Sequence, residues 1–138
     1  MNISDNSRDI IVEEINYVVN QMEQSSTREE KLFYFSGVYS VIQRIFNLEY
    51  DSDLVYAHFI LSAAYHSFLQ RTQAIKQGEM LIPLDEEHFG KLTAITEELA
   101  KKIKERKDID STLKKLAVLS YMTVGNGYYL FQKGLLKI

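Results

Sequence analysis

Apolar residues recur at helical spacing along most of the chain, and no stretch alternates as a half-buried strand would. Ile11, Ile15, Val18 and Met22 repeat at i, i+4, i+7 and i+11, with Val12 and Val19 widening the stripe and Glu13, Glu14 and Gln21 lying off it. That pattern predicts an amphipathic surface helix. Thr27 and Glu30 follow at capping-box spacing, and from Leu32 to Phe46 a second helix is apolar on more than one face. Gly37 in its middle costs about 1 kcal/mol of helix propensity against alanine, which a close crossing by another helix would explain.

The third segment is unusual, because Leu54 to Gln70 contains no Asp, Glu, Lys or Arg over 17 residues. Asp51 or Ser52 is placed to cap its start, and Gly78 is placed as its C′ residue. A helix that is apolar all round is normally enclosed by others, so a long, largely buried central helix over about residues 53–77 is expected. After a loop holding the single proline, Pro83, Asp85 reads as an N-cap followed by Glu86 and Glu87. Phe89, Leu92, Ile95, Leu99 and Ile103 form the buried stripe of that fourth helix, with Glu97 facing Lys101 and Glu98 facing Lys102 at i, i+4.

Asp108 and Asp110 offer caps for a fifth helix carrying Leu113, Leu116, Ser120, Val124 and Phe131. Gly125, Asn126 and Gly127 weaken it without ending it, and Gly134 closes it. The predicted fold is therefore all-α, a single-domain bundle over residues 1–138 with helices at about 7–24, 28–47, 53–77, 86–106 and 111–133.

Composition narrows the function classes. Residues 1–60 hold four basic and ten acidic side chains and residues 61–138 hold twelve and nine, so the two parts carry −6 and +3. Those totals lack the strongly basic footprint of a general nucleic-acid binder. The absence of cysteine excludes disulfides, thiolate metal sites and a cysteine nucleophile. The N-terminal Ser4, Asp5, Asn6, Ser7 and Asp9 do not read as a signal peptide, and the uncharged 17-residue stretch, with His58 and His66 in it, is short and polar for a membrane span; a cytoplasmic protein with no membrane contact is expected.

Three groups of residues could carry chemistry. Tyr56, His58, Ser62, Tyr65 and His66 share the third helix, where His58, Ser62 and His66 form an i, i+4 ladder that could line an internal pocket, with Tyr121 and Tyr128 as further candidates. His58 and His66 lie eight residues apart, roughly 12 Å of helical rise, which is too far to clamp one metal ion. His88 stands three residues after Asp85 and reads as part of a capped helix start. Lys101, Lys102, Lys104, Arg106, Lys107, Lys114 and Lys115 form the third group, a basic hairpin that with Glu105, Asp108 and Asp110 nets +4 and could contact an anion.

No nucleophile elbow, Walker loop, dinucleotide fingerprint or di-iron carboxylate set is present, and no arginine has the histidine a few residues on that marks helical nucleotide-binding RNases. The expected function is a non-catalytic protein-interaction or assembly module, acting as a homodimer because its second, third and fifth helices carry more apolar surface than one bundle seam needs. No cofactor is expected. The alternatives are a regulatory bundle with a small-molecule pocket along the third helix, or a nucleic-acid accessory factor using the basic hairpin.

Overall fold

Side-chain caps decide where the helices start in the computed structural model, which describes residues 1–76 and 84–122. Helix α1, Asp5–Gln24, begins after Ser4, whose Oγ accepts from the Ser7 amide at 3.2 Å. This cap moves the start two residues ahead of the expected position, since Asp5 and Asn6 join the first turn. Helix α2, Arg28–Leu48, is capped by Thr27, which accepts from the Glu30 amide at 3.1 Å; the return contact from Glu30 is not formed among the described residues. Helix α3, Ser52–Lys76, follows Asp51, whose Oδ1 accepts from the amides of Asp53 at 2.9 Å and Leu54 at 3.2 Å.

Helix α4, Glu86–Lys104, opens with a full capping box, Asp85 accepting from the His88 amide while His88 Nδ1 accepts from the Asp85 amide, both at 3.2 Å. It ends two residues before the expected boundary because the chain turns into a Schellman motif. The Lys107 amide donates to the Lys102 carbonyl at 2.9 Å and the Arg106 amide to the Ile103 carbonyl at 3.2 Å, with Arg106 in the left-handed region at φ 59°. Helix α5, Asp110–Met122, starts where Asp108 Oδ1 accepts from the Asp110 amide at 2.7 Å. Gly78, the Gly125–Gly127 triplet, Val124, Tyr128, Phe131 and the Gly134 cap lie outside the described residues.

The helices pack as a ring in the order α1, α2, α3, α5, α4, with α4 closing back onto α1. All four members of the α1 stripe, Ile11, Ile15, Val18 and Met22, are buried, as are Phe89, Leu92, Ile95, Leu99 and Ile103 of α4 and Leu113 and Leu116 of α5. The i, i+4 pair expected between Glu98 and Lys102 gives way to a link between helices. Glu98 accepts from Lys115 of α5 at 3.0 Å and from the Thr112 hydroxyl at 3.1 Å, while Lys102 donates to Ser111 at 2.6 Å. A partner on α5 that brings a second hydrogen bond outcompetes one four residues along the same helix.

Helix α3 departs most from expectation. Its inner seam, Leu54, Ala57, Leu61, Ala64, Phe68 and Arg71, is buried at alternating spacings of three and four, but the enclosure predicted for the whole helix is realised on that side alone. A second seam at the same spacing, Tyr56, Phe59, Ala63, His66, Gln70 and Gln73, is exposed. A ring of five gives each helix two flanking neighbours, which leaves the outer face of α3 uncovered among the described residues.

Candidate functional site

The outward seam of α3 and the α2–α3 groove beside it hold the aromatic residues singled out from the sequence. His58 sits among three rings, with centroids 5.9 Å from Tyr39, 5.5 Å from Phe46 and 5.9 Å from Phe59. Tyr65 packs on Tyr39 at 5.5 Å, and burial, helped by the neighbouring Tyr65, pushes the Tyr39 phenol above its ordinary value. Tyr39 and Phe46 come from α2, so His58 and Tyr65 are interface residues between two helices of the bundle. The three contacts of His58 are edge-to-face, at 78°, 78° and 67°, and the Tyr39–Tyr65 pair is tilted at 54°.

The other three members of the group point elsewhere. Tyr56 is 51% exposed on the outer seam, and His66 is exposed one heptad further on plus three, with Nδ1 donating to the Ser62 carbonyl at 2.7 Å. Ser62 is half-buried between the two seams. The five residues thus divide between a packed groove and an open face instead of converging on one cavity. The space nearest them is a shallow groove of about 270 Å³ between α3 and α5, lined by Ile60, Ala63, His66, Gln70 and Ala117. The Tyr121 side chain and all of Tyr128 lie outside the described residues.

The basic hairpin is likewise divided. Arg106 is paired with Asp5, Lys107 with Glu105 at 2.8 Å and Lys115 with Glu98 at 3.0 Å, and Lys102 is hydrogen-bonded to Ser111. Lys101, Lys104 and Lys114 remain exposed and without ion pairs among the described residues. Four of the seven cations are therefore engaged within the bundle, and the stripe available to a phosphate backbone is short. His88 serves the α4 capping box, where its ring holds the Asp85 carboxyl below the usual range. Among the described residues no group of three or more histidine, aspartate or glutamate side chains could hold a metal ion, and no helix is long and apolar enough to cross a membrane.

Two buried arginines escaped sequence reasoning. Arg8 is 5% exposed and donates to the Ile103 carbonyl at 2.9 Å, and Arg71 is 5% exposed in the inner seam of α3, its Nε and Nη2 without hydrogen-bond partners among the described residues. Burial lowers the Arg71 pKa from its ordinary value. For Arg71 the signal was present, because it continues the Leu54, Ala57, Leu61, Ala64, Phe68 register. Arg8 had the weaker signal of preceding Ile11 by three residues and Ile15 by seven. No family model matches the chain, and comparison with curated proteins and with solved structures likewise finds no match.

Proposed function

We propose that the protein is a non-catalytic helical assembly module that pairs with a second copy of itself through the outer seam of α3. The observation that carries this reading is the seam's spacing and chemistry together. Tyr56, Phe59, Ala63, His66, Gln70 and Gln73 recur at three and four residues, every one is exposed, and none is a carboxylate, lysine or arginine. A 3.5-residue repeat keeps one helix face toward a partner helix over several turns.

A second copy is the occupant that this chemistry favours. An isologous interface sets a surface against itself, which brings like charges together wherever the surface is charged, and this seam has none to repel. Antiparallel pairing about Ala63 would set Phe59 of one protomer near His66 of the other and Tyr56 near Gln70, with the small alanine allowing close approach at the axis. Standard interfaces bury about 800 Å² per partner, and the exposed parts of Tyr56 and Phe59 alone supply on the order of 200 Å² of that before the rest of the seam is counted. Those two side chains are 51% and 66% exposed.

Because the chain has no cysteine, Ala63→Cys introduces a single thiol at the proposed two-fold axis. Mild oxidation is expected to give a disulfide-linked dimer in high yield at micromolar protein, whereas Phe33→Cys, exposed on α2, should remain largely uncrosslinked. Equal crosslinking of the two variants, or none at position 63, overturns the assignment of the seam.

A further inference from the structure

Segments distant in sequence meet at one end of the bundle, where the chain's first residues and α1 approach the start of α3 and the turn between α4 and α5. They surround a partly enclosed chamber of about 250 Å³ lined by Met1, Arg8, Asp53, Arg106, Asp108 and Asp110, among others. We infer that this chamber binds a small zwitterion of amino-acid size, with its carboxylate on the Arg8 guanidinium and its ammonium group toward Asp108 and Asp110. The inference is independent of the pairing proposed for α3, which uses a different surface.

Arg8 is the first ground. Its guanidinium is buried and, among the described residues, is held by backbone carbonyls, with Nη1 on Ile103 at 2.9 Å and Nη2 on Met1 at 3.5 Å. Among the described residues no carboxylate pairs with it. A buried cation satisfied by neutral groups alone retains most of its desolvation penalty, and a carboxylate is the geometric complement of its planar fork.

The surrounding charges decide what else the ligand carries. Asp53 is occupied by the Met1 amino group at 2.7 Å, Arg106 by Asp5, and Lys107 by Glu105. Asp108 is engaged only by the Asp110 backbone amide, and Asp110 forms no ion pair among the described residues. The uncommitted charges are therefore one internal cation and two rim carboxylates. A simple anion would meet Asp108 and Asp110 unfavourably, and a simple cation would meet Arg8; a ligand bearing both signs complements both ends.

One wall of the chamber is the end of α4. Arg106 lines the chamber at φ 59°, the C′ position of a Schellman motif where glycine is the usual occupant. The chamber volume lies below the range of about 300–1,000 Å³ that suits drug-sized ligands, which restricts the occupant to a small molecule.

Three probes of similar length separate the possibilities: γ-aminobutyrate, butyrate and butylammonium, each titrated at millimolar concentration while the amide resonances of the α4–α5 turn are followed by NMR. γ-Aminobutyrate is expected to shift those resonances and to bind about tenfold more tightly than either singly charged analogue, a difference of the size one charged contact supplies. Arg8→Met should abolish the shifts. Because Arg8 also ties down the end of α4, Asp110→Asn at the exposed rim provides a second arm. It should weaken γ-aminobutyrate while leaving butyrate unchanged or slightly tighter. Butyrate binding as well as γ-aminobutyrate would overturn the zwitterion assignment, and chamber resonances that respond to none of the three would overturn the site.

Discussion

The Gly37 backbone lies so close to Val18 that a Cβ at position 37 would stand 3.2 Å from Val18 Cγ2, a contact that fixes how closely α1 and α2 cross. The approach explains why a residue costing about 1 kcal/mol of helix propensity occupies the middle of α2. Gly37→Ala should be close to neutral, its propensity gain offset by displacement of a buried, stiff valine. Gly37→Leu should lose about 1–3 kcal/mol through overpacking. In a double-mutant cycle read by urea denaturation, Val18→Ala should restore the benefit of Gly37→Ala with a coupling of at least about 0.5 kcal/mol.

Acid should loosen the N-terminal anchor. Glu49 accepts from the Ser7 hydroxyl at 2.7 Å and from the Ser4 hydroxyl and amide, and these bonds, the Ser7 contact foremost, hold its carboxyl below the ordinary value of 4.5. A carboxylate whose pKa is depressed on folding contributes stability that is complete above the unfolded value and lost as pH falls through the folded one. The melting temperature of the wild type should therefore drop more steeply below pH 4.5 than that of Glu49→Gln, which should be less stable at pH 7. Parallel curves for the two proteins would contradict this account of the anchor.

Arg106 makes a third test. Its left-handed backbone costs roughly 1–2 kcal/mol for a residue with a Cβ, more than its exposed pairing with Asp5 returns. Arg106→Gly should raise stability by roughly 0.5–1 kcal/mol in urea denaturation, and Arg106→Val should lower it by at least about 1 kcal/mol.

The sequence patterns that proved most legible were those written within one turn or one stripe. Thr27, Asp51 and Asp85 cap helices because a short oxygen-bearing side chain ahead of an apolar periodic run has few other local uses, and the α1 and α4 stripes are buried because one face of each is plainly polar. The α3 segment misled because missing charges do not distinguish a face covered by the same chain from one left open. Its two seams differ only in residue size and polarity, Leu61, Ala64 and Phe68 against Ala63, His66 and Gln70. The Arg8 chamber was illegible because its lining comes from residues as far apart as Met1 and Asp110, and no local spacing encodes that meeting. The Glu98–Lys115 link was hidden for the same reason, since charge patterning along one helix finds only partners on that helix.

Pairing through the outer seam of α3 is read most directly from the mass of the protein in solution. Sedimentation equilibrium at micromolar protein should return about 32 kDa, twice the 16.0 kDa of the chain, for the wild type and for Phe33→Glu, and about 16 kDa for Phe59→Glu, which sets two carboxylates near the proposed axis. A wild-type protein that sediments as a 16.0 kDa monomer, or a Phe59→Glu variant that keeps the mass of the dimer, would contradict it.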